Sequence, residues 1–189
     1  MNQPIEMIFN VLLTKIEENK QMRRAKRQVT DIDLIKKFVD EVEVVRIAIN
    51  GEKYPYVVPV NFGYSWNDEA LSLYIHGASE GKKVSMIGEN PLVAVEMDQP
   101  DKLIEGNKNA STYSYAYQSL IGFGEAKIIE DLEEKRNALH LLMAHAAKGK
   151  TFDPIPEKAL ERVGVIKIII DSYTVKQNIH PDKKREEHK

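Results

Sequence analysis

Hydrophobic residues recur along this chain with two different periods. Ile5, Ile8, Phe9, Leu12, Leu13 and Ile16 fall at helical spacing, which predicts an amphipathic helix within an N-terminal extension over residues 1–28. Ile35, Phe38, Val39 and Val42 again line one helical face. Ahead of them Thr30-Asp31-Ile32-Asp33 has the form of a helix start with an acidic third position, and this helix is expected to end near Glu43.

Beyond it the period falls to two. Val44–Ile49 is β-branched and closes on Asn50-Gly51, a hairpin turn signal. Tyr54–Gly63 returns, with Pro59 marking an edge, a bulge or an unpaired amide. After a polar turn at Trp66–Glu69, Leu71–His76 alternates as a third strand, and the three together predict an antiparallel meander. A short helix then opens within Gly77–Lys83 and stops at Asn90-Pro91, and Leu92–Met97 is a further strand. Residues 98–112 read as a long surface loop, either a functional lid or disordered. Tyr117–Ile129 is a long strand whose Gly122 and Gly124 share one face, leaving room for close approach of a backbone or a ligand. Asp131 caps a helix with a stripe at Leu139, Leu142, Met143 and Ala146, closed by Gly149; Val163–Ile170 is the last barrel strand, and residues 177–189 form a polar tail. Many antiparallel strands, few helices and no βαβ alternation predict an α+β chain, mainly β, built as a barrel or strongly curled sheet over 29–176 with flanking helices.

Charge changes this picture little. Lys and Arg total 27 against 29 Asp and Glu, a formal charge of −2, so no global attraction to nucleic acid or anionic membrane is expected. The basic run Lys20–Arg27 is read as a solvated linker in preference to a nucleic-acid arm, because no aromatics interleave it. No run approaches the roughly 18 apolar residues that span a bilayer. Cysteine is absent, which removes disulfides, thiolate catalysis and iron–sulfur ligation and fits a cytoplasmic location.

The segment with most chemistry in it is His76-Gly77-Ala78-Ser79-Glu80-Gly81-Lys82-Lys83. Helix starts bind anions through free main-chain N–H groups and the positive end of the dipole. Two lysines in a first turn oppose its usual acidic preference, a conflict that a bound phosphate relieves. Two solvated surface lysines are the competing reading. His76 is open to roles as metal ligand, general base or hydrogen-bond donor, but no histidine–carboxylate cluster has metal spacing, and His140 and His145 point in different directions on their helix. No nucleophile elbow, phosphate-binding loop or dinucleotide fingerprint is present. A chain without reactive groups of its own can still serve redox chemistry if a cofactor supplies it.

Three ordered blocks resemble the pyridoxamine 5′-phosphate oxidase-related flavoproteins, and within them the nitroimidazole-resistance branch. They are Arg46–Ile49 with Pro55–Tyr64, then Leu73–Ala78 with Gly81-Lys82-Lys83 and Asn90-Pro91, then Tyr117–Gly124. The resemblance covers about residues 30–172 and implies a split β-barrel that works as a homodimer, with FMN lodged between the subunits. It further implies that Val58, Pro59, Val60, Asn61 and Phe62 lie along the isoalloxazine through backbone atoms. His76, Gly77, Lys82 and Lys83 would hold the phosphate and ribityl chain, and Gln118 and Ser119 would reach the flavin from the partner subunit. The Arg and Lys that bracket the second block in the vitamin-processing oxidases have no counterpart in Val58–Phe62, nor does their C-terminal segment, which argues against vitamin B6 oxidation. The functional expectation is an FMN-dependent oxidoreductase passing electrons from a reduced carrier to a small planar acceptor such as a nitroaromatic. The alternatives are a barrel that binds or senses flavin or haem without turnover, and an interaction domain docking through its N-terminal helix.

Overall fold

The computed structural model describes residues 24–182; the expected helix over Ile5–Ile16 lies outside them. Eight strands form a single antiparallel sheet: β1 (Gln28–Val29), β2 (Val45–Ile49), β3 (Tyr56–Val60), β4 (Gly63–Asn67), β5 (Ala70–Ala78), β6 (Leu92–Ile104), β7 (Ser114–Ile129) and β8 (Val163–Asn178). Four helices flank it: α1 (Ile32–Glu41), α2 (Lys82–Glu89), α3 (Leu132–Ala146) and α4 (Glu157–Arg162). The α1 start is capped by Asp31, whose carboxylate accepts from the Asp33 and Leu34 amides. The same device recurs at α3, where Asp131 accepts from the Glu134 amide.

Strand order is β3-β2-β6-β7-β8-β5-β4, with β1 added on β8. The two ends of that series, β3 and β4, are consecutive in the chain and separated only by Asn61 and Phe62. The three Cα–Cα steps from Val60 to Gly63 span at most ~11 Å, so the sheet has to curl until its edges come close. This is a split barrel, open along the β3–β4 seam. The expected returning strand is present as β3, paired to β2, but the meander is interrupted there: β3 ends at Val60, and β5 pairs with β4 and β8 instead of β3. Pro59 marks β3 as an edge strand, one of the readings the sequence offered for it, but nothing local marks the switch of partner at Asn61-Phe62.

Strand β2 is buried at Val45, Ile47 and Ile49 and outward-facing at Arg46 and Ala48, as a half-buried strand requires. Those side chains join Phe62, Leu73, Ile75, Val95, Met97, Leu120 and Ile168 in one barrel core, which Ile35, Phe38 and Val39 of α1 and Ile87 of α2 complete. The outer face is not polar throughout. Val57, Ala48, Ala94 and Phe123 are cross-strand neighbours in turn, and Val57 and Phe123 are 54% and 57% exposed.

Two expected boundaries moved. The loop over 98–112 is instead a hairpin arm: β6 runs to Ile104 and β7 begins at Ser114. Beyond the barrel wall neither face of the arm is covered by a core, so alternation fades although pairing continues. For the same reason β8 continues past Ile170 to Asn178, with Gln177 paired to Gln118.

Candidate functional site

Strand β5 delivers His76 and Gly77 to the barrel end where α2 begins. Gly81 caps that helix with φ +124, a conformation that favours glycine, and no side chain serves the first amides. The helical ladder starts with the Ser85 amide on the Gly81 carbonyl at 3.0 Å, and no acidic residue stands in the first turn. The Lys82 ammonium lies 4.6 Å from the Tyr56 ring centroid, which brings the helix start against β3. Lys83 is half-buried, and burial lowers its pKa from the ordinary lysine value. A Cβ on Gly77 would stand 3.6 Å from the Lys83 ammonium, so the bare glycine leaves space directly under that charge. His76 is exposed beside them, opposite Val165. The donor set, two ammoniums and open amides around an unfilled cradle, matches a phosphate dianion.

Strand β3 is paired on one side only, to β2. Val58 and Val60 pack on the core while Pro59 and Asn61 are exposed, so what this edge offers to a ligand is main chain. Asn61 is steadied by its Nδ2 donating to the Glu43 carbonyl at 2.9 Å. Phe62 differs from the rest of the segment. Its ring is fully buried, and its carbonyl accepts a hydrogen bond from His145 Nδ1 at 2.7 Å.

Gln118 and Ser119 are not brought to this place within one chain. Gln118 pairs with Gln177, whereas His76 pairs with Val165, near the other end of β8. The two lie roughly 40 Å apart along that strand at about 3.3 Å per residue. Gln118 donates from Nε2 to Gln177 Oε1 at 3.3 Å and lines a cavity of about 420 Å³ under α1, together with Leu34, Phe38, Pro100 and Tyr117. The contribution of α1 to this cavity went unnoticed in the sequence, where its apolar stripe signalled only core. Arg27 adds to the rim, its Nη1 donating to the Tyr117 hydroxyl at 3.4 Å. Arg46 bonds within the chain to Glu96 at 2.9 Å and to Asp98. Among the described residues no group of three or more His, Asp or Glu is placed to hold a metal ion, and no helix among them is long and apolar enough to cross a membrane.

Residues 31–177 match the sequence profile of the pyridoxamine 5′-phosphate oxidase family. The chain belongs to that family. No curated protein matches it. Among solved structures, a putative 5-nitroimidazole antibiotic resistance protein from Bacteroides thetaiotaomicron is 32% identical, covering 79% of this chain and 86% of that one at a TM-score of 0.68. The flavocytochrome Anf3 from Azotobacter vinelandii superposes at TM-score 0.72 with 20% identity, over 85% of this chain and 73% of its own. An FAD- and haem-binding protein from Mycobacterium smegmatis does so at 0.72 and 20%, over 86% and 80%. The last two share the fold. Within the pyridoxamine 5′-phosphate oxidase-related family, then, this member has the split barrel with an open basic helix start beside the seam.

Proposed function

We propose that this protein binds FMN between two copies of the chain and works as an oxidoreductase on a small planar acceptor of the nitroimidazole type. One observation carries the reading: the Gly77–Lys83 cradle, with its uncapped amides, its bare space under Lys83 and its open β3 edge. Lys82, Lys83, Gly77 and His76 would hold the phosphate and ribityl chain, and the main chain of Val58–Asn61 would lie along the ring system. Gln118 and Ser119 stand too far along the barrel to reach the same ligand within one chain, so in this reading they would come from a second copy. The apolar outer row of Val57, Ala48, Ala94 and Phe123 beside β3 suits that pairing. The similarity to a nitroimidazole-resistance protein supports the acceptor class.

When bound, flavin supplies the electron transfer. The residues of this chain bind it, orient it and exclude water from its face. The donor in this reading is a reduced carrier.

The test is a titration of the purified protein with FMN, followed by turnover with a reduced nicotinamide and 5-nitroimidazole. Saturable binding that falls at least tenfold in a Lys82→Met, Lys83→Met double variant is expected. Failure of the wild type to take up FMN would sink the reading, and uptake without turnover above free FMN would leave a flavin-holding barrel without catalysis.

A further inference from the structure

The crossing between β3 and β4 is held by a histidine far away in sequence. His145, 9% exposed near the end of α3, presents both ring nitrogens to main-chain carbonyls. Its Nδ1 lies 2.7 Å from the Phe62 oxygen and its Nε2 lies 3.1 Å from the Asp40 oxygen. A carbonyl oxygen only accepts, and a neutral imidazole has a single N–H to give. Both bonds are made together only by the imidazolium. A neutral ring would turn a lone pair onto one of the two oxygens.

The surroundings fit a cation. The ring is held between Phe62, at a centroid distance of 4.6 Å, and Tyr64, at 5.1 Å edge-on. From α1 comes the Asp40 carboxylate, bonded by Tyr64 Oη at 2.8 Å and Lys148 Nζ at 2.9 Å, and Lys148 Nζ also donates to the Asp40 carbonyl that His145 Nε2 faces, which uses the second lone pair of that oxygen. Its pKa is held below the ordinary carboxylate value, first by the Lys148 and Tyr64 hydrogen bonds. Glu41, Glu43, Lys148 and Lys150 line the same groove of about 340 Å³.

We infer that His145 is a positioning residue for the flavin site, acting as a doubly protonated clasp. By fixing the Phe62 carbonyl to α1 and α3, it sets the Asn61–Phe62 crossing and with it the β3 main chain offered to the ring system. The inference rests on the flavin reading above and adds a residue that no block of sequence resemblance contains. Loss of the second ring proton slackens the seam, so flavin affinity falls as pH rises.

Long-range ¹H–¹⁵N correlation spectra of the apo protein report the protonation of His145 without any flavin. Two N–H nitrogens at low pH, giving way to one as pH rises, are expected. In parallel, the FMN dissociation constant of the wild type should increase about tenfold across that same step, the equivalent of one charge-assisted hydrogen bond. His145→Gln should bind FMN about tenfold more weakly at low pH and lose the His145 step, while Lys148→Met should keep it. His76 and the ionisation of the phosphate contribute equally to wild type and His145→Gln, so their difference isolates the clasp. A single-proton ring at low pH, or a flat affinity across the ring's titration, overturns the positioning role alone. Absence of FMN binding at every pH overturns the flavin reading and this role with it.

Discussion

The Lys82 ammonium rests 4.6 Å from the centroid of the Tyr56 ring, tying the first turn of α2 to the edge strand that faces the seam. Without that contact Lys82, an exposed side chain on four rotatable bonds, would sample many positions around the helix start. The aromatic face restricts it to the β3 side of the helix start. A contact of this kind at an exposed site contributes about 0.5–1 kcal/mol. Tyr56→Ala should therefore weaken FMN binding about two- to fivefold, and Tyr56→Phe should leave it nearly unchanged. Quenching of FMN fluorescence on titration with each variant measures both. Equal loss in the two would show that the hydroxyl, not the ring face, matters.

Tyr64 and Asp40 make the pH response of the fold two-sided. Burial, then the hydrogen bond to Asp40, pushes the Tyr64 hydroxyl from 10.0 up to about 12. Its folded value is raised, so its stabilising effect is complete below pH 10 and is lost as pH climbs through about 12. Asp40 has the opposite sign. Its lowered value contributes stability above 3.8, the unfolded value, which is lost as pH falls through the folded one. Ultraviolet titration should show Tyr64 among the last of the eight tyrosines to ionise. Tyr64→Phe should flatten the alkaline fall of the melting temperature.

How much of this was legible in the chain depends on the range of the interaction. The helix start at Gly81-Lys82-Lys83 was readable because capping, glycine and charge act over a few neighbouring residues. Strand β2 was readable because one of its faces is core. The seam was only half readable: Pro59 signalled an edge, but only tertiary pairing sends β3 and β4 to opposite edges of the sheet. The face of α3 was read partly off: Leu142 is buried and Leu139 packs on the core as expected, but Lys135, Ala138 and His145 complete the buried stripe, while Met143 is half-buried and Ala146 exposed. Two polar residues sit on that stripe because their partners are carbonyls 25 to 105 positions away. The one local signal was their spacing with Ala138 and Leu142 at three and four residues, which an apolar-only pattern passes over.

Two glycines should respond oppositely to a methyl group. A Cβ on Gly63 would stand 2.3 Å from the Leu142 amide nitrogen, inside the contact between β4 and α3, and main chain on both sides leaves nothing to yield. Gly63→Ala should cost about 3 kcal/mol or prevent folding, at the upper end of overpacking penalties. Gly88, in the last turn of α2, meets nothing within 4 Å, and Gly88→Ala should add about 0.5–1 kcal/mol by restricting the unfolded chain. Urea unfolding midpoints decide both, and a neutral Gly63→Ala would contradict the close approach of α3.

Lys135 carries a charge where its own helix disfavours one. It stands in the first turns of α3, near the positive end of that dipole, and is 8% exposed. Its ammonium instead serves the end of α4, donating to the Leu160 carbonyl at 3.3 Å and the Val163 carbonyl at 3.0 Å. Those oxygens have no further turn of helix to bond them, and the negative end of the α4 dipole adds to the attraction. Removing the donor leaves buried acceptors unserved, which costs about 1–3 kcal/mol, while an apolar side chain of similar length keeps the packing. Lys135→Met should accordingly lower the unfolding free energy by about 2 kcal/mol, and Lys135→Ala by more because the stem is lost as well. Hydrogen exchange should place the damage locally, with faster exchange of the α4 amides and little change in the barrel. A Lys135→Met variant as stable as the wild type would mean that water serves those carbonyls equally well.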